Sequence, residues 1–205
     1  MKHLAILGGS GHGKVIADTA ELSGWSNVVF FDDAWPSRTR NGKWEIIGTS
    51  VHLLQRLHEF DGAIVAIGDN SIRYEKTKLL LEHGATLSTL VHPAATVSAY
   101  ATIGAGSVVF AGAVINAGAC VGLGGILNTG CSVDHDCVLA DSVHISPGVR
   151  LAGGVKVGDR AWVGIGACVK QMVCIGADAI VGAGAAVVSD VVEGITVVGV
   201  PARAL

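Results

Sequence analysis

No run of eighteen apolar residues occurs in this 205-residue chain, although half of it is hydrophobic and its mean hydropathy is +0.55. Gly, Asp, Ser, His and Lys interrupt every window, which excludes a membrane-spanning helix. The first apolar stretch, Leu4 to Leu7, runs straight into glycines and is too short for a signal peptide, so the expectation is a cytoplasmic protein. No sequence cluster of Lys or Arg offsets the net charge of −3, so no electrostatic footprint for nucleic acid is present. The cysteines lack a pairing pattern: there are five, Cys120, Cys131, Cys137, Cys168 and Cys174, an odd number that argues against a disulfide framework. No metal site is expected either, because the Cys131 to Cys137 spacing belongs to a repeat and not to a ligand motif.

That repeat dominates what is present. From Val91 to Val187 an aliphatic residue returns at every sixth position, seventeen times in succession. Four residues after each of the first sixteen stands a small or β-branched residue, among them Ala95, Ser107, Cys131, Cys137 and Val155. A helix needs a period of 3.6 and a strand a period of 2, so a strict six implies one short strand plus one turn, repeated. Three hexapeptides close an eighteen-residue coil, which predicts a parallel β-helix with three flat faces and its aliphatics pointing inward. The 97 residues of the run give about 5.4 coils and a prism roughly 26 Å tall at strand spacing. The small residue at the fourth place is expected to let the chain turn each corner.

Residues 1 to 91 follow another grammar. Leu4 to Leu7 reads as a strand, Val15 to Leu22 as a helix, Val28 to Phe31 as a strand, Ser50 to Phe60 as a helix, Ala63 to Ile67 as a strand, Arg73 to His83 as a helix and Thr86 to Val91 as a strand. Alternation of this kind predicts a small parallel α/β domain of Rossmann type, with the β-helix occupying residues 92 to 205. The glycine loop Gly8-Gly9-Ser10-Gly11-His12-Gly13-Lys14 is not a P-loop, because Val15 replaces the magnesium-binding Ser or Thr, and it lacks the third glycine of the dinucleotide fingerprint. What remains is a strand-to-helix turn of backbone amides suited to a phosphate or diphosphate. Asp32 and Asp33 end the next strand, where carboxylates of open α/β sheets meet ribose or base, and Gly68 follows another strand end.

Among the eight histidines, His135 and His144 stand apart at outward or corner positions of the repeat, beside few other charges. The segment Asn128-Thr129-Gly130-Cys131-Ser132-Val133-Asp134-His135-Asp136, the following His144-Ile145-Ser146-Pro147-Gly148, the tail Val198-Gly199-Val200-Pro201-Ala202-Arg203 and the N-terminal glycine loop together resemble the left-handed β-helix acyltransferases. Within them the likeness is to the PglD-type nucleotide-amino-sugar N-acetyltransferases and NeuD-type sialic acid O-acetyltransferases. The resemblance implies the left hand of the coil, a homotrimer with sites between subunits, acetyl-CoA as cosubstrate in the groove between prisms, and a nucleotide sugar on the N-terminal domain. It makes His135 the general base with Asp136 beside it, where a member of the family carries Glu, so the charge is kept with a reach one methylene shorter. It places His144, Gly153, Ile165 and Ala183, the last in place of a glycine, against acetyl-CoA. Ser10, Gly11, His12, Asp32, Asp33 and Gly68 fall to the nucleotide sugar.

The implied reaction is direct attack of a 4-amino-4,6-dideoxy sugar, carried on UDP or GDP, on the thioester, with no metal and no covalent enzyme intermediate. An imidazole of ordinary pKa near 6.5 suits the proton transfer, and a nearby carboxylate raises it. Cysteine acylation is the rival mechanism, set aside on the expectation that the cysteines occupy inward or packed slots. Sugar O-acetylation and a non-catalytic trimeric scaffold stay open as alternatives.

Overall fold

The computed structural model describes residues 2–205, and the chain divides after Pro93 into two compact units. In the first, β1 (His3–Leu7) lies between β2 (Asn27–Phe31) and β5 (Gly62–Val65), all parallel and in a register that brings Leu7 level with Phe31 and Val65. Leu4, Ala5, Ile6, Phe30, Phe31 and Ile64 are fully buried, as expected of strands covered on both faces. Helix α1 (Gly11–Leu22) follows β1 directly, and α3 (Asn70–Glu82) follows β5 with Asp69 accepting from the Ile72 N–H at 2.9 Å as its N-cap. Gly13 sets how closely α1 packs, since a Cβ there would stand 2.4 Å from the Gly8 carbonyl oxygen and 2.9 Å from the Phe30 ring. It thus does the packing task of the fingerprint glycine that the sequence lacks at its usual spacing.

Three local expectations are corrected. The helix expected over 50–60 stops early, as α2 (Ser50–Gln55), because Arg56 leaves helical geometry at φ −115° and ψ 12°; a 3₁₀ turn, Leu57–Glu59, continues it. The expected strand over 86–91 is reduced to a bridge between Ala63 and Leu87 and a two-residue β6 (Leu90–Val91). The segment read as loop contains a hairpin, β3 (Arg40–Asn41) and β4 (Trp44–Glu45), turning on Gly42-Lys43 with Gly42 at φ +67°. Gly at the first of two loop residues is a hairpin signal, masked here because each strand is too short to alternate visibly.

In the second unit, sixteen two-residue strands, β7 (Thr96–Val97) to β22 (Ala186–Val187), recur every six residues and stack in parallel with the strand eighteen residues away. Three faces result: face I carries β7, β10, β13, β16, β19 and β22; face II carries β8, β11, β14, β17 and β20; face III carries β9, β12, β15, β18 and β21. The aliphatics from Val109 to Val187 line a continuous interior. The small residues point inward with them, as the full burial of Ala113, Ala119, Cys131, Cys137 and Ala161 demonstrates. They do not make the corner, contrary to the expectation. The bend comes one residue earlier, at positive φ, supplied by Gly118, Gly130 and Gly154 among others and by the non-glycine residues Asp136, Ser142, Arg160, Met172 and Asp178. Ile145, fully buried in mid-prism, tests this core: Ile145→Ala is expected to lower the unfolding free energy by about 2–5 kcal/mol, read by denaturant titration of the β-helix transition.

After Val187 the six-residue step shortens: Val191 bridges to Ile175, and β23 (Thr196–Val198) joins face III before an antiparallel turn-back, β24 (Arg203–Ala204).

Candidate active site

His135 and Asp136 form the corner between β13 (Ser132–Val133) on face I and β14 (Val138–Leu139) on face II. Asp136 is the residue at positive φ, 59°, a conformation that Asp tolerates better than most. Its carboxylate accepts from His135 Nδ1 at 2.8 Å. That bond fixes the neutral ring with its proton on Nδ1 and leaves Nε2 as the acceptor. Asp134 holds the corner from the other side, with Oδ1 accepting both the His135 N–H at 2.8 Å and Asn116 Nδ2 at 2.9 Å. The hydrogen bond that His135 donates to Asp136, with the charge of Asp134, raises the His135 pKa above its ordinary value; the Asp134 carboxyl is held low by the His135 N–H and Asn116.

Glycines above and below make room for these side chains. A Cβ on Gly153 would stand 2.5 Å from His135 Nε2, and one on Gly118 would stand 2.6 Å from Asp136 Oδ1. Both side chains stay largely in solvent, 64% exposed for His135 and 75% for Asp136.

The other residues singled out in the β-helix gather elsewhere. His144 opens β15 (His144–Ile145) on face III, where its ring stacks on Trp162 at 5.7 Å between centroids and 4° between planes. Asn128 Nδ2 lies 3.1 Å from its Nε2, and Trp162 Nε1 donates to Ser146 Oγ at 2.7 Å. Ile165 and Ala183 are exposed one coil apart on the edge between faces III and I, joined by a bond from the Gly184 N–H to the Ile165 carbonyl at 2.8 Å. In a three-sided prism the edge shared by faces I and II stands opposite face III. One β-helix therefore unites His135, Asp136 and Gly153 on one side and His144, Ile165 and Ala183 on the other, without bringing the two sets together.

In the first unit, Ser10, Asp32, Asp33 and Gly68 line one cleft of about 290 Å³ together with Leu7, Gly8, Gly9, Ile67 and Lys76. The carboxylates are partly engaged: Asp32 accepts from the Gly9 N–H at 2.6 Å and the Ala34 N–H at 2.9 Å, and Asp33 from the Ser50 N–H at 2.7 Å, with Lys76 Nζ 4.0 Å away. Burial pushes the Asp33 carboxyl up, but the hydrogen bonds from Ser50 and the charge of Lys76 outweigh it and hold the group low. Gly11 faces an adjoining cleft, and His12 lines neither. Burial and the neighbouring Arg73 push the His12 pKa down to about 4, so its ring is neutral beneath the loop. Arg73, itself buried, anchors the loop after β5 through the Ile67 and Gly68 carbonyls at 3.0 and 3.1 Å and Asn70 Oδ1 at 2.8 Å.

Residues 3–80 match the family model of the PglD N-terminal domain. The whole chain superimposes on the acetyltransferase domain of PglB from Neisseria gonorrhoeae in complex with acetyl coenzyme A, with 42% identity over 100% of this chain and 99% of that one and a TM-score of 0.96. The chain belongs to the PglD-type hexapeptide acetyltransferases. PerB from Caulobacter crescentus, solved with CoA and GDP-perosamine, is 37% identical over 100% of this chain and 98% of its own, with a TM-score of 0.95. WeeI from Acinetobacter baumannii is 28% identical over the full length of both, at 0.89. No curated protein sequence matches.

For this acetyltransferase the left-handed β-helix and the α/β domain stand as the sequence implied. The cysteine expectation does not. Cys131 and Cys137 are buried, with burial raising the Cys131 thiol to about 12, but Cys120, Cys168 and Cys174 open outward from strand positions and are exposed. Their sixth place in the hexapeptide, the one His144 also holds, was the signal. The sequence assigns no role to Asn116, Asp134, Asn128, Trp162 or Lys76; apart from the His135 N–H that Asp134 accepts, the partners that place them lie sixteen to forty-three positions away.

Proposed function

We propose that this acetyltransferase transfers the acetyl group of acetyl-CoA to the 4-amino group of a 4-amino-4,6-dideoxy sugar carried on UDP or GDP, for glycan assembly. The observation that carries the reading is the His135–Asp136 pair on an open edge, its Nε2 free to accept a proton and seated on Gly153. His135 removes the proton as the sugar amine attacks the thioester carbonyl. Asp136 holds the ring tautomer and favours the imidazolium, and the thiolate of CoA leaves.

The division of residues between an edge and the opposite face supports a site shared by copies. His135, Asp136 and Gly153 of one prism meet His144, Ile165 and Ala183 of its neighbour, a head-to-tail contact that closes as a homotrimer. The nucleotide sugar occupies the cleft of Ser10, Asp32, Asp33 and Gly68, with Gly11 and His12 completing the loop. Five unpaired cysteines, three of them exposed, fit a reducing cytoplasm. Amide formation is favoured over sugar O-acetylation by the 37% identity to a protein solved with an amino-sugar nucleotide.

Thiol release from acetyl-CoA against UDP- and GDP-linked 4-amino sugars, with free and CMP-linked sialic acid beside them, tests the reading. Release with an amino sugar is expected; release with sialic acid alone overturns it. A second expectation concerns pH. The base must be neutral, so activity falls as pH drops through the His135 pKa, which Asp136 raises. In Asp136→Asn the acid limb of kcat/KM therefore moves to lower pH while the plateau falls; an unmoved limb removes Asp136 from the mechanism.

A further inference from the structure

We infer that Met172 is a specificity-determining residue of this acetyltransferase, its thioether walling the reaction space beside His135 and restricting the transferred acyl group to acetyl. This rests on the reading of His135 as the base. His135, the glycine pair Gly153-Gly154 and Met172 occupy the same corner of three successive coils. The Gly154 N–H donates to the His135 carbonyl at 2.9 Å, and the Met172 N–H donates to the Gly153 carbonyl at 3.0 Å. Each glycine gives its side-chain space to a neighbour. A Cβ on Gly153 would stand 2.5 Å from His135 Nε2, and a Cβ on Gly154 would meet Met172 Sδ. The imidazole leans in from one coil and the thioether from the other, so both end over two consecutive residues.

Met172 is 72% exposed, so its side chain adds little to the core. Its backbone is left-handed at φ +63°, a conformation that disfavours a bulky apolar residue and suits glycine, which holds the equivalent place one coil earlier as Gly154. Asp136, Arg160 and Asp178 share that conformation, but each engages its side chain in a hydrogen bond, which a thioether accepts only weakly. An exposed apolar side chain kept in a costly conformation beside a reactive nitrogen points to a role in binding.

An amine that gives its proton to His135 stands about 3 Å from Nε2, and the thioester carbonyl carbon about 3 Å beyond the amine. The reacting centre therefore lies over the glycine pair, within reach of the thioether. Of the groups meeting there, the acetyl methyl is the apolar one nearest the chemistry, a single bond from the attacked carbon. The deoxy methyl of the sugar is two bonds removed from the carbon that bears the amine. A soft, unbranched thioether closes on a methyl group and leaves a longer acyl chain no space.

Thiol release on the full chain tests this with acetyl-, propionyl- and butyryl-CoA against a nucleotide-linked 4-amino sugar, on wild type, Met172→Gly and Met172→Leu. Glycine suits the left-handed backbone and leucine keeps the bulk, and the thermal transition verifies that both variants fold. A methylene that an apolar pocket refuses is worth roughly tenfold or more, so wild type is expected to favour acetyl over butyryl about 10²-fold in kcat/KM. Met172→Gly should bring that ratio to within about tenfold, and Met172→Leu should keep it. A ratio unchanged in Met172→Gly overturns the inference, and with acetylation of the amino sugar intact the proposed function stands. An effect confined to the KM of the sugar also overturns it, placing the thioether against the acceptor. Binding is read separately on protein carrying ¹³C in its methionine methyl groups, since the chain has two methionines, Met1 and Met172. The Met172 signal, assigned by its loss in Met172→Leu, is expected to differ between bound CoA, acetyl-CoA and butyryl-CoA, and no response to the acyl group overturns the inference. A signal that follows the acyl group in a protein that acetylates no amino sugar upholds this role for Met172 while the proposed function fails.

Discussion

Replacing His135 by alanine is expected to lower turnover roughly 10²–10⁴-fold, the span that a positioned general base contributes. The ring is 64% exposed, so the thermal transition should stay at the wild-type temperature while thiol release collapses. His144 does not substitute for it, because its ring is stacked on Trp162 and its Nε2 lies 3.1 Å from Asn128 Nδ2. Wild-type kinetics in His135→Ala would remove the base from the mechanism. A loss accompanied by unfolding would instead make His135 a structural residue, which its exposure argues against.

The second large effect is expected one coil away. Gly153→Ala adds a single methyl group that would lie 2.5 Å from His135 Nε2, far inside contact distance. Gly153 itself is not at positive φ, so alanine is acceptable to the backbone and the strain falls on the imidazole. The ring must turn away, breaking its bond to Asp136 or displacing Nε2 from the amine, and misplacement of about an ångström is sufficient for a loss on the order of 10²-fold. The signature separating this from lost cofactor affinity is the pH profile. A displaced ring loses the hydrogen bond that raises its pKa, so the acid limb shifts in the same direction as in Asp136→Asn. If Gly153→Ala keeps full activity and profile, the ring is not held where the geometry places it.

Much of this molecule was legible in the order of its residues because a β-helix writes itself into sequence at a fixed interval. Each coil buries the same positions against its neighbours, so Val91 to Val187 repeat without a break, and the candidate base stands out as an unpaid polar exception at a corner. The N-terminal strands β1, β2 and β5 were legible for the same reason, being short apolar runs ended by Gly or Asp. The hairpin at Asn41 to Trp44 was not, since two-residue strands have no period to detect.

What the sequence by itself determined was the prism, its number of faces, the corner position of His135 and Asp136, and the family resemblance. Tertiary structure alone decided which residues share an edge. Asn116 meets Asp134, and Gly153 meets His135, only because eighteen residues make one coil and superimpose the corners. The same stacking sets His144 on the face opposite His135, a separation that no local pattern reveals. Lys14, Arg38 and Arg40 likewise surround one cleft only once the hairpin folds back on the glycine loop, because side chains distant along the chain interact through space and not through spacing.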